Sequence, residues 1–277
     1  MKLTAVVLTK NEKKNIERCL KSLGFCEEII IVDDYSSDKT VEIVHKIFDG
    51  RGRVSRPIYK IFKRELKEDF AQQRNFGLNK ASNEWVLFID ADEEVSEELK
   101  KEIVSLFHGS IVKENAFYLR RRDYFWNQEL KFGEIKKARN QGIMRLIKKN
   151  SGTWMGSVHE VFHTAKNIGQ LECFLNHYPH PTLKEFISDI NYYSSIRAEE
   201  LFNRGSRTNL FEIIFFPIVK FIYNYFLNLG FFDGPSGFTY SFMMSFHSFL
   251  VRAKLYQFCH SRAGGNPDVP GSPFSRG

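Results

Sequence analysis

Cysteine is scarce and unpatterned in this chain of 277 residues. Cys19, Cys26, Cys173 and Cys259 show no C-x-x-C spacing, which argues against a zinc knuckle or a secreted disulfide framework and fits a reducing cytosol. No G-x-G-x-x-G follows the first apolar run, and no G-x-x-x-x-G-K-[ST] occurs, so neither glycine-based phosphate cradle is available. The N-terminus lacks the longer apolar region and small-residue cleavage site of a signal peptide, so its short apolar run is expected to belong to the fold. A clean span of about 20 apolar residues is missing too, because Pro217, Lys220, Asn224 and Asn228 interrupt the best stretch. No internal repeat is found. What remains is ordinary for a globular protein: 43% hydrophobic and 26% charged, enough for one large α/β domain with appendages.

Two features depart from the ordinary, a net charge of +7 and 27 phenylalanines, and they occupy different places. Arginine and lysine crowd 120–149, including Arg120, Arg121, Arg122, Lys131, Arg139, Arg145 and Lys148. Such a run is most often a solvated face, but it also attracts nucleic acid, anionic lipid or phosphorylated substrates. Phenylalanine thickens after position 210 instead. That aromatic region is expected to form an interfacial helix pair on an anionic membrane surface, with Lys220, Arg252 and Lys254 towards the lipid headgroups.

Apolar runs that stop at polar residues organise the first hundred positions. Residues 3–8 read as a buried strand, and Asn11 is expected to cap a helix bearing Ile16, Leu20 and Leu23. The pattern repeats: Glu28–Val32 ends in Asp33 and Asp34, and a helix follows from Ser36 or Ser37 with Val41, Val44 and Phe48 inward. Lys60–Phe62 adds a short strand, Phe70–Lys80 a helix, and Trp85–Ile89 another strand. Alternating units of this kind predict a parallel sheet whose carboxyl ends lie together. Ligands of open α/β sheets bind beyond that edge, which would present Thr9, Asn11, Glu12, Asp33, Asp34, Asp90 and Asp92. Strand-like segments around 117–119, 142–147 and 154–162 are expected to extend the sheet and build a second wall. Thr182-x-x-Glu185 predicts a capping box opening a long helix to about Arg204. The Gly/Pro/Ser-rich end, 259–277, is expected to be disordered.

The most informative stretch is Val86-Leu-Phe-Ile-Asp90-Ala-Asp92-Glu-Glu94, a buried strand delivering two carboxylates to the sheet edge. Magnesium or manganese takes oxygen ligands and is commonly held by one or two carboxylates plus substrate phosphates. A plainer reading has these acids preceding a helix that Ser96, Glu97 and Glu98 begin.

Val7-Leu-Thr9-Lys-Asn11-Glu12, Val32-Asp33-Asp34-Tyr-Ser-Ser-Asp38, Gln73-Arg74-Asn75 and Phe88-Ile-Asp90-Ala-Asp92 together resemble the family 2 glycosyltransferases in order and spacing. Trp154-x-Gly156-x-Val158-His159-Glu160, Phe232-Asp233-Gly234 and Gly237-Phe238 bring the chain nearest the group of lipopolysaccharide-core beta-1,4-glucosyltransferases. The resemblance implies a GT-A fold, an α/β nucleotide-binding sandwich with a mixed, mainly parallel sheet, over 1–180. Donor and acceptor halves would meet near 110, and a helical, membrane-associating region would span 181–258. It implies transfer of a hexose, glucose from a UDP donor, with inversion, to a lipopolysaccharide core or other cell-envelope glycan, on the cytoplasmic face of the inner membrane.

In that reading Thr9, Asn11, Glu12, Asp33 and Asp34 bracket the nucleoside. Arg74 and Asn75 face the nucleotide, and Arg145 meets the diphosphate or an inner carboxylate. Asp90 and Asp92, with His159, hold a divalent cation, Mg2+ or Mn2+, that bridges the diphosphate. Lys10 stands where many relatives carry an aromatic residue for base stacking. Glu160 is the expected base for the acceptor hydroxyl, with Asp123 second.

Two other readings compete. His159-Glu160-x-x-His163 spells the zinc-protease H-E-x-x-H, but that motif needs a helix. Gly156 and the β-formers around it favour a strand, on which residues four apart lie about 13 Å from each other. The basic segment with Tyr118, Tyr124, Phe125 and Trp126 could serve a non-catalytic nucleic-acid or anionic-lipid module. An acidic cleft repels a polynucleotide, so no nucleic acid is expected.

Overall fold

The computed structural model describes residues 2–49, 57–67, 69–108, 112–156, 160–164 and 167–261. They divide into two compact units, one formed by Met1–Lys131 with Ile135–Pro181, the other by Phe132–Glu134 with Thr182–Gly277.

The first unit is an α/β structure. Strands β1 (Leu3–Thr9), β2 (Glu28–Asp33), β3 (Ile58–Lys63) and β4 (Trp85–Asp90) alternate with helices α1 (Ile16–Ser22), α2 (Thr40–Asp49) and α3 (Phe70–Lys80). Next come β5 (Glu93–Val95), α4 (Glu97–Leu106), β6 (Ala116–Phe125), β7 (Gln128–Leu130), α5 (Lys136–Gln141), β8 (Ile143–Lys148), β9 (Gly152–Met155), β10 (Val161–Thr164) and β11 (Ile168–His177). The main sheet runs β3-β2-β1-β4-β8-β6-β11-β5, with β7 paired to β6. The first four strands are parallel, β8, β5 and β7 run against the rest, and β6 and β11 are parallel to each other. The sheet is mixed, as expected, with four parallel and four antiparallel pairings among the described strands.

β1 and β4 are almost wholly apolar because both faces of the sheet are covered. Successive side chains of a strand serve opposite faces, so Leu3, Ala5 and Val7 enter one core cluster with α1 and α4, while Val6 and Leu8 enter the other with α3. On that second face Gly77 of α3 lies so close to β1 that a Cβ would stand 2.4 Å from Val6 Cγ1. The edge strand β3 alternates exposed and half-buried positions and carries Lys60 and Lys63, which discourages edge pairing.

Several local expectations are corrected. α1 starts at Ile16 and α2 at Thr40, later than Asn11 and Ser36 or Ser37 would have them, because residues 11–15 and 34–39 are spent on loops at the sheet edge. β9 and β10 form a separate antiparallel hairpin instead of extending the sheet, packing Trp154 on Phe88 at 5.2 Å between ring centroids. β11 was not anticipated, and it supplies the inner neighbour of β6.

The second unit is helical: α6 (Leu183–Asn203), α7 (Leu210–Ile222) and α8 (Gly234–Ser261). Thr182 caps α6 as its sequence predicts, its Oγ1 accepting from Glu185 N at 3.2 Å. The run Leu210–Leu227 stays helical despite Pro217, passing from α7 into one wide turn at Tyr223–Leu227. Its mean hydropathy of 1.6 makes it long and apolar enough to cross a membrane by length and composition, which corrects the expectation drawn from its interruptions. The Phe232-Asp233-Gly234 segment is structural: buried Asp233 accepts from Phe132 N at 2.9 Å, tying in the 132–134 strap. Gly237 packs against the Gly230 carbonyl, where a Cβ would stand 2.1 Å away.

Candidate active site

The carboxyl ends of β1, β2 and β4 place Thr9, Asp33 and Asp90 side by side, for Thr9 pairs in register with Asp33 and Leu8 with Asp90. Asp33 is fully buried, and its Oδ2 accepts from Ser36 N at 3.1 Å. Its Oδ1 and the Thr9 Oγ1 are buried polar atoms with no hydrogen-bond partner among the described residues. Unpaired buried acceptors are costly, so a partner outside the chain is the natural way to satisfy them. Asp34 is held by Lys10 Nζ at 2.6 Å and by Leu66 N at 3.0 Å. Lys10, lacking a ring to stack, thus acts as a tether for this carboxylate. Asn11 has φ +56°, and its side-chain oxygen accepts from Ser37 N at 2.8 Å, stitching the first loop to the second.

Around Asp90 the charges alternate. Arg74 of α3 donates to both Asp90 oxygens, at 3.0 and 3.2 Å, and its Nε reaches Glu160 Oε1 at 2.7 Å. Arg145 of β8 binds Asp90 Oδ2 at 2.5 Å and Glu93 Oε1 at 3.0 Å, while Glu93 Oε2 accepts from Asp90 N at 2.9 Å. Burial opposes ionisation of Asp90, but Arg145 and Arg74 outweigh it and hold the carboxyl well below the usual range. Burial pushes Glu93 up, Asp90 adds to this, and Arg145 opposes it. Arg74 Nη1 and Arg145 Nε are left buried without a partner among the described residues. Spare guanidinium donors at a sheet edge suit an anion with several oxygens.

Asp92 has a different neighbour. Its Oδ2 lies 3.2 Å from His177 Nε2, at the end of β11, and His177 Nδ1 lies 2.7 Å from Asp123 Oδ1. Burial and Arg121 lower the His177 pKa, but Asp92 and Asp123 prevail and push it up to about 9. Asp123 in turn is bound by Arg121 at 2.9 Å; burial opposes its ionisation, yet Arg121 and His177 hold its pKa down at about 2.

These positions sort the expected residues. Arg74, Asp90, Arg145 and Glu160 come together, with Asp92 beside them and Thr9 and Asp33 along the same edge. Asp123 is fully inaccessible, whereas the Asp90 and Asp92 side chains keep 32% and 26% exposure, so Asp123 orients His177 and has no route to an acceptor. Asn75 does not face the cleft. Its amide accepts from Trp154 N at 3.0 Å and donates to Trp154 O at 2.9 Å, pinning β9 to α3. Glu12 serves the start of α1, its carbonyl accepting from Asn15 N and Ile16 N and its carboxylate from Asn15 Nδ2. His159 lies outside the described residues. His163 sits on β10, so the helix that H-E-x-x-H requires is absent. Within the basic segment Arg120 pairs with Glu172, Arg139 with Glu129 and Lys148 with Glu84. His177, Glu93 and Arg121 escaped sequence reasoning. For His177 a signal existed, since 168–177 is one more strand-like run that stops at a polar residue.

The family model described as Glycosyl transferase family 2 matches residues 4–162, which takes in Thr9, Asp33, Arg74, Asp90, Asp92, Arg145 and Glu160 but not His177. The chain belongs to glycosyl transferase family 2. It is a glycosyltransferase, and its first unit is the family's GT-A type sandwich. It is 30% identical over 271 residues to the lipopolysaccharide core biosynthesis glycosyltransferase LpsC of Rhizobium meliloti, covering 96% of each chain. An uncharacterized glycosyltransferase of Rickettsia felis is 28% identical, across 92% of this chain and 89% of its own. Among solved structures, S. aureus TarS in complex with UDP-GlcNAc aligns with a TM-score of 0.49 at 14% identity, covering 94% of this chain and 92% of that one.

Proposed function

We propose that this glycosyltransferase moves a hexose, glucose, from a UDP-linked donor to a lipopolysaccharide core or related envelope glycan, inverting the anomeric carbon with the help of a divalent cation. The observation that carries the donor half is the row of unsatisfied buried groups along one sheet edge: acceptors on Thr9 and Asp33, donors on Arg74 and Arg145. Acceptors match the N–H and hydroxyl groups of a nucleoside, and guanidinium donors match a diphosphate. The relation to LpsC supports the acceptor class.

The residues present suit Mg2+ or Mn2+. Asp90 is committed to two arginines, while Asp92 keeps an open side and faces His177, whose far nitrogen is fixed by Asp123. Such a cation is commonly held by one or two protein groups and completed by phosphate and water. Asp92 would hold it, with His177, protonated between Asp92 and Asp123, positioning that carboxylate; when bound, the cation would neutralise charge on the leaving diphosphate. Glu160 is the proposed base for the acceptor hydroxyl, its Oε1 accepting from Arg74 Nε at 2.7 Å.

Incubation with UDP-glucose, UDP-galactose and UDP-GlcNAc, with and without Mn2+, followed by transfer to deacylated core oligosaccharide, tests the reading. UDP-glucose should be consumed with metal dependence, Asp92→Ala should lose that dependence, and Glu160→Gln should bind donor but not turn over. Full turnover by Glu160→Gln removes the base, and indifference to all three donors removes the donor assignment.

A further inference from the structure

The second unit wears its polarity inside out. Of the eighteen residues Leu210–Leu227, eleven are large apolar side chains between 45% and 68% exposed, and the segment as a whole is only 11% buried. They recur in pairs four apart, Leu210 and Phe211 at one end and Phe226 and Leu227 at the other, so they form one continuous stripe. Lys220 and Asn224 of the same helix point the other way: Lys220 Nζ meets Glu134 Oε2 at 2.7 Å and Asn224 Nδ2 meets Glu134 Oε2 at 2.6 Å. Pro217 is buried against α8, where Ser245 Oγ donates to its carbonyl at 2.6 Å. A helix on the surface of a water-soluble domain has the opposite arrangement, apolar inward and charged outward. An uncharged stripe of this size costs free energy in water.

We propose that this stripe is a bilayer-docking surface, which sinks α7 and the turn after it lengthwise into one leaflet of an anionic phospholipid membrane. Packing and charge select that occupant. One flank of the helix is occupied by α8 and by Glu134, so only a single face is open to acyl chains and the segment lies along the interface. The exposed cations Arg204, paired with Glu200, and Arg207 stand just before the stripe, while the cation within the helix, Lys220, is turned inward. A face without charge, bordered by arginine at its entrance, complements lipid better than it complements a protein partner, whose contacts carry a polar rim. The inference stands apart from the transfer reaction and concerns only the second unit.

The test floats the full chain with vesicles of phosphatidylethanolamine and phosphatidylglycerol. The native chain should co-float and stay bound in high salt, and Val219→Asp with Phe226→Asp, both at exposed positions, should reduce binding at least about tenfold while leaving the circular dichroism and donor consumption unchanged. Tyr223→Trp should be quenched by lipids brominated near the glycerol end of the chain more than by lipids brominated at mid-bilayer. Vesicle binding that survives the double substitution overturns the proposal, as does strongest quenching at mid-bilayer, which marks a spanning helix. A concentration-dependent dimer that the double variant disperses, with no vesicle binding by the native chain, overturns it in favour of a second copy on the stripe.

Discussion

Arg145→Met is the perturbation that best probes the charge network at the sheet edge. The guanidinium is 7% exposed and bonds Asp90 and Glu93, and Glu93 is completely buried. Its removal leaves Asp90 with Arg74, but strands Glu93 with only the Asp90 amide and a distant Arg121 at 4.0 Å. Breaking one partner from a buried ion pair costs about 3–5 kcal/mol, because the other charge stays desolvated. For a unit of this size each kcal/mol lowers Tm by about 2–4 °C, so a fall on the order of 10 °C is expected. Glu93→Gln in the same chain removes the stranded charge. The pair of substitutions should therefore be milder than the sum of the two by about 1–3 kcal/mol in a double-mutant cycle. Urea denaturation at neutral pH of the parent, the two single variants and the double variant measures this. Losses that add to within about 0.5 kcal/mol would show that Arg145 and Glu93 are not coupled, and the network would lose its physical basis.

Other consequences follow from single contacts. Glu28 is 5% exposed; burial alone would raise its carboxyl, but Lys60, Ser82 and Thr4 hold it down at about 2, so its contribution is complete above about pH 4.5 and is lost as pH falls through 2. Glu28→Gln should accordingly flatten the acid limb of a pH series of denaturation midpoints below pH 4.5. Gly77→Ala should destabilise by about 1–2 kcal/mol through its clash with Val6, and Val6→Ala in the same chain should return part of that loss in urea titrations. Asn75→Ala frees the backbone of Trp154 at both ends, so amide hydrogen exchange should accelerate across β9 and β10 while β1 and β4 keep their protection.

Much of the site was legible because it obeys local rules. Val7-Leu8-Thr9, Ile31-Val32-Asp33 and Phe88-Ile89-Asp90 each spell a buried strand that stops at a polar residue, and parallel pairing brings such stops to one edge. Asn75 and Glu12 were assigned to the cleft from their place beside Arg74 and Asn11. A side chain's direction is not encoded by its neighbour's role, and both proved to be scaffolding.

Strand periodicity, helix caps and the order of acidic stops are properties of a few adjacent residues, so the chain itself dictated the parallel half of the sheet, the capping of α6 and the Asp90/Asp92 pair. What lies more than fifty residues apart had to be decided by folding. His177 meets Asp92 only because β11 adds beside β6 and antiparallel to β5, and Arg145 meets Asp90 only because β8 inserts antiparallel to β4. Likewise the apolar composition of 210–227 was written in the sequence, but its outward direction was not. Glu134 draws Lys220 and Asn224 inward, and the pitch of the helix then turns the phenylalanines out.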